Sequence, residues 1–184
     1  MIKSLLLLLK LTVLPILALI VGKLLGIYIA GFVMGIDVIW NFSSPISFLN
    51  PTVALQDIKS IINFADLFMF VCLAFGMSLV VIQGAFLHDS HLDVSMASRL
   101  ANFNLLSIVK STYEIYHSGF IWTLYLIMGL IVILMDVINM NADAWVLIFT
   151  GVFSLLSIVI LVKDVFNEIE IAKSLSIKKN YEGQ

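Results

Sequence analysis

The chain has 184 residues, 61% of them hydrophobic and 12% charged, with a mean hydropathy of +1.11 and a formal net charge of −2. Soluble domains carry about 45–50% apolar and about 25% charged residues, so this composition excludes a water-soluble globule and points to an integral membrane protein. No basic domain is present to act as a nucleic-acid platform, and the single Cys72 excludes an intrachain disulfide framework or thiolate metal cluster.

In chain order, the first apolar segment runs from Leu11 to Ile36 and is interrupted only by Lys23. A central lysine costs about 2.5–3.5 kcal/mol on the insertion scale, and each Leu, Ile, Val or Phe returns roughly 0.3–0.6, so the undivided segment inserts as one helix. Pro15 lacks the amide that a helix interior uses, which suits a first-turn position and a span of about 15–36, with the preceding residues near the interface. The run continues well beyond the length of a secretory signal core and shows no small-residue cleavage pattern, so this helix is expected to be retained. Gly22 and Gly26, then Gly31 and Gly35, repeat at a four-residue spacing that permits close helix approach, and all four are candidate packing positions.

The segment that follows, to Asp66, carries Pro45 and Pro51 in a turn-rich stretch and is expected on the membrane surface. Asn63 and Asp66 resemble the acidic start of a second helix, which gives Asp66 a structural role and places the second span at about 66–87. Ser90 and Asp93 then bracket the start of an amphipathic interfacial helix reaching about Lys110, with Val94, Ala97, Ala101, Leu105 and Ile108 on one stripe. A third span is expected at about 118–138 and a fourth at about 144–162. The polar stretch from Asp136 to Asp143 joins them as an antiparallel hairpin, with Asp143 capping the fourth helix. Ser154 and Ser157 offer interhelical hydrogen bonds. The tail, 163–184, reads as a short helix leaving the fourth span and lying on lipid.

Basic residues orient the chain. Lys3, Lys10, Arg99, Lys110, Lys163, Lys173, Lys178 and Lys179 share one face and only Lys59 falls on the other, so both termini are expected in the cytoplasm of a plasma (inner) membrane. Trp40 and Trp145 would mark the outer boundary, and Tyr113, Tyr116 and Trp122 the inner one. The expected architecture is therefore a single all-α membrane domain with four transmembrane helices and a cytoplasmic interfacial helix between spans 2 and 3.

Lys23 and Asp136 are the ionisable side chains nearest the hydrocarbon and hence candidates for an ion path. Counted at 1.5 Å per residue, their levels lie roughly 15 Å apart, so direct pairing within one chain is not expected; Lys23 would snorkel to one surface and Asp136 fray into the other. His88, His91 and Asp93, with Asp89 beside them and His117 before the third span, supply imidazole and carboxylate donors for a metal at the cytoplasmic edge, although capping and interface polarity account for the same residues. No Walker, G-x-S-x-G, H-E-x-x-H or C-x-x-C pattern occurs, and no cofactor is expected. The expected partners are the lipid bilayer and other membrane proteins or a second copy, in a noncatalytic subunit of a secretion, transport or surface-structure assembly. A small channel or transporter, and a membrane enzyme using the histidine cluster, are the alternatives.

Overall fold

A computed structural model describes residues 2–40, 57–86, 94–103 and 112–182. Five helices follow one another: α1 (Ile2–Met34), α2 (Ile58–Phe86), α3 (Val94–Asn102), α4 (Thr112–Ile138) and α5 (Ala144–Glu182). Four of them contain apolar spans, at Thr12–Met34, Ile58–Gly84, Glu114–Ile138 and Ala144–Asn167, each 23 to 27 residues long. At 1.5 Å per residue these reach about 35–40 Å, enough to cross a hydrocarbon core of about 30 Å. The protein is an all-α, multi-pass membrane protein.

Two boundaries differ from those read in the sequence. The first helix begins at Ile2, so Pro15 lies inside it rather than at its first turn. A long apolar helix tolerates the lost backbone bond better than a short soluble one, because its other backbone groups stay paired within the helix. The second helix begins at Ile58, eight residues before Asp66. Asp66 therefore stands two turns inside α2 and does not start it. Of the amphipathic segment, α3 accounts for Val94–Asn102 with Arg99 exposed; Leu105, Ile108 and Lys110 lie outside the described residues, as do Pro45 and Pro51. The tail continues α5 as an unbroken helix to Glu182.

The chain divides into two compact units. The first comprises residues 1–77 and 120–154. In it the buried faces follow helical periodicity: Gly22, Lys23, Gly26, Ile27 and Ala30 on α1, and Ile61, Ile62, Ala65, Asp66, Met69, Leu73 and Met77 on α2. The matching positions are Leu126, Ile133 and Asp136 on α4, and Val146, Thr150 and Ser154 on α5. Small residues set how near the helices come. A Cβ on Gly22 would lie 3.1 Å from the Met69 Cα, one on Gly26 would lie 2.7 Å from the Ala65 Cα, and one on Gly129 would lie 2.7 Å from Leu73 Cδ1. The Trp122 indole covers Gly76 so closely that no side chain fits there. Trp122 is buried, because that glycine leaves a slot for the ring.

Gly31 and Gly35 act differently from Gly22 and Gly26. A Cβ on Gly31 would strike Val38, from the chain's own return after α1, and one on Gly35 would meet nothing within 4 Å. Gly35 has φ +66°, and the Ile36 amide donates to the Gly31 carbonyl at 2.9 Å, which is the left-handed turn that ends a helix. Gly35 is thus a helix terminator, and among the described residues no helix packs on it. The segment returns to place Ile36, Val38 and Trp40, with Phe64, against Ile27, Ala30, Ile61 and Ala65.

The second unit comprises residues 78–119 and 155–184. Glycines again mark its close approaches: a Cβ on Gly84 would lie 3.0 Å from Asp164 Oδ2, and one on Gly119 would lie 3.0 Å from Leu161. The large side chains left exposed along the four spans, such as Phe32, Phe75, Phe120 and Leu155, are apolar, as a lipid-facing surface requires.

Candidate functional site: a buried Lys–Asp–Asp cluster

One face of α2 carries the site. Lys59, Asn63 and Asp66 follow at four- and three-residue spacing, which aligns them on a single side of the helix. Lys59 and Asn63 engage the α4–α5 hairpin through Asp143, and Asp66 pairs with Lys23 on α1. The Asn63 amide nitrogen donates to Asp143 Oδ2 at 2.7 Å, and the Asp143 backbone N–H donates to Asn63 Oδ1 at 2.8 Å. Lys59 Nζ stands 3.6 Å from Asp143 Oδ1. The expected capping aspartate is therefore itself clamped from α2, by an asparagine that read as part of a helix start.

The hairpin is closed by a backbone motif around Asp136. The Asn141 and Ala142 amides donate to the Asp136 carbonyl at 2.9 and 3.1 Å, and the Met140 amide donates to the Val137 carbonyl at 3.0 Å. This pattern ends α4 in a Schellman turn, with Met140 in the left-handed position at φ 61°. Asp136 thus contributes its carbonyl to the turn and leaves its carboxylate free to face inward.

There it meets Lys23. The ammonium donates to Asp136 Oδ2 at 2.7 Å and also to Asp66 Oδ1. Lys23 is 1% exposed, Asp66 0% and Asp136 4%, so three charged groups sit together out of contact with solvent. The pairing corrects the expectation that Lys23 snorkels and that Asp136 frays. That expectation put all helix ends at one level, whereas α1 continues about 16 Å past Lys23, α2 starts about 12 Å before Asp66, and α4 stops about 3 Å after Asp136. The α4–α5 turn lies lower than the ends of α1 and α2, at the level of Asn63, and the lysine and aspartate levels coincide.

Fully ionised, the cluster would carry one net negative charge in a dry interior, where an uncompensated charge costs several kcal/mol. The second oxygen of Asp66 is buried with no hydrogen-bond partner among the described residues. Below the cluster the neighbouring positions turn apolar, with Met69, Leu73 and Ile133 fully buried. Further along, Thr150 donates back to the Val146 carbonyl at 2.8 Å, and the Ser154 and Thr123 hydroxyl oxygens are buried without a hydrogen-bond partner among the described residues. Two open clefts, one at the end of α1 lined by Tyr28, Phe32, Asp37 and Trp40, the other on α5 lined by Trp145, Phe149 and Phe153, do not touch the cluster.

Of the sequence-predicted site residues, Lys23 and Asp136 are brought together and Gly22 and Gly26 lie between α1 and α2. Asp66 was missed as a site residue. The signal that would have found it is electrical: a lysine in the middle of a span requires an anion, and Asp66 is one of the few acidic residues within the spans. His88, Asp89, His91 and Asp93 lie outside the described residues, and His117 is half-buried in α4. Among the described residues no three His, Cys, Asp or Glu side chains are grouped to hold a metal.

Compared with known protein families, with characterised proteins and with solved structures, the chain shows no match.

Proposed function

We propose that this chain is a small multi-pass membrane protein of the transport class, with Lys23, Asp66 and Asp136 as its charge-binding centre. The observation that carries this reading is the cluster itself: two carboxylates share one ammonium inside the membrane-spanning helices, with an unpartnered carboxylate oxygen. Ionisable groups at such depth are costly, and membrane proteins keep them chiefly along ion and proton pathways. The bias of Lys and Arg supports a reading with both termini in the cytoplasm of a plasma membrane and the α4–α5 turn and Asp136 toward the opposite side. The test is flux. Purified full-length protein in liposomes, with a pH dye inside and an imposed potential, is expected to take up protons faster than empty liposomes, and Asp66→Asn and Asp136→Asn are expected to abolish the excess. Equal rates in wild type and empty liposomes reject the reading.

A second reading, a noncatalytic subunit of a larger membrane assembly, draws support from α5. Only 17% of its most apolar window is buried, against 33–44% for the other three spans, and Trp145, Phe149 and Phe153 line its exposed side at four-residue spacing. That face suits another membrane helix. Purification from native membranes in mild detergent, with the native mass of the particle, is expected to give partners at fixed stoichiometry; a partner-free monomer rejects it.

A further inference from the structure

We infer that the Lys23–Asp66–Asp136 cluster binds one exchangeable proton, held by the pair of carboxyls, so that its resting state is electrically neutral. The inference deepens the proposed transport reading by naming the species bound, and it rests on the cluster being the charge site.

Charge counting leads there first. One ammonium balances one carboxylate, and no further cation lies within reach among the described contacts of Asp66 and Asp136. The surplus negative charge is removed most simply by protonating one carboxyl, because groups that cannot both ionise at close range share a proton. The second oxygen of Asp66 is the independent observation: it is buried and meets no donor among the described residues, and a carboxylate oxygen so placed is poorly stabilised as an anion, whereas a carboxylic acid there carries no net charge. Among the described residues no third His, Cys, Asp or Glu side chain joins the two carboxyls, so the acidic ligand set that holds a divalent cation is not assembled there.

The shortest way to water runs past Asp136. Asp136 is the least enclosed of the three and lies two residues from the end of α4, while Met69, Leu73 and Ile133 are fully buried on the other side. Binding and release therefore take the form Asp–COOH ⇌ Asp–COO⁻ + H⁺, with the proton passing between the carboxyl pair and water at the α4–α5 turn. No covalent bond other than the O–H is made or broken. Lys23 serves as a positioning residue that keeps the two carboxyls together.

The experiment is infrared spectroscopy of the full-length protein in lipid, with carbon-13 carboxyl-labelled aspartate, recorded near neutral pH. The carbonyl stretch of a protonated aspartic acid is expected in the wild type at one per chain. It is expected to vanish in Asp66→Asn and equally in Asp136→Asn, since either change leaves a neutral ammonium–carboxylate pair, and to double in Lys23→Met, where both acids lose their counter-ion. Absence of the band from the wild type overturns the inference without any variant having to fold. A band that survives both Asn substitutions overturns it too, because the proton then resides elsewhere. The band is independent of flux: a band without flux removes the transport reading and keeps the proton site, and flux without the band does the reverse.

Discussion

Lys23 contributes to stability through two bonds at once, and removing it leaves two buried carboxyls facing each other. Lys23→Ala is therefore expected to lower the unfolding free energy by about 3–5 kcal/mol, as for other buried ion pairs that lose one partner. Denaturant titration in detergent micelles measures this, and an unchanged midpoint would show that the lysine reaches water instead. Met140 offers a gain. It occupies the left-handed position of the α4–α5 turn with its side chain 74% exposed, so Met140→Gly relieves backbone strain at little packing cost and should raise stability by about 1 kcal/mol. Gly35→Ala, at the equivalent position after α1, should lower it by about the same amount although nothing lies within 4 Å of the new Cβ. The sequence exposed Lys23 as an anomaly because a charge in an apolar run is visible locally. Its partners were not visible, because they depend on which residue of another helix lies at the same depth.

The helices themselves were largely legible, since hydropathy over some twenty residues is a local property. Their ends were not. Asn63 and Asp66 resemble a capping pair and shortened α2 by two turns in the reading, whereas their tertiary contacts to Asp143 and to Lys23 are what the polar row serves. Asn63→Ala removes both halves of the clamp on the start of α5 and is expected to cost about 1–2 kcal/mol, with faster amide exchange in the first turn of α5 as its local signature. Glycines test the helix contacts in the same way. Gly26→Ala forces a Cβ against the α2 backbone, which cannot swing aside, and should cost about 1–3 kcal/mol. Gly151→Ala in α5 meets open space and should be neutral or stabilising by up to about 1 kcal/mol. If both behave alike, α1 and α2 are not in contact at Ala65.

For the whole molecule, the α5 span Ala144–Asn167 separates Met140, just before it, from Glu170, just after it, and so puts them on opposite sides of the membrane. With Cys72 replaced by alanine, Met140→Cys and Glu170→Cys should label with impermeant thiol reagents from opposite faces of sealed vesicles; labelling from one face removes the α5 span. Everything proposed about protons depends on a lysine and two aspartates from three helices meeting in one dry place. Solid-state NMR in lipid bilayers tests this most directly, by nitrogen–carbon dipolar recoupling between Lys23 Nζ and the carboxyl carbons of Asp66 and Asp136. Coupling to both carboxyls, lost one at a time in Asp66→Asn and Asp136→Asn spectra, is the expected result. Coupling of Lys23 Nζ to lipid phosphorus, with none to either carboxyl, would mean that the lysine snorkels and that the cluster does not exist.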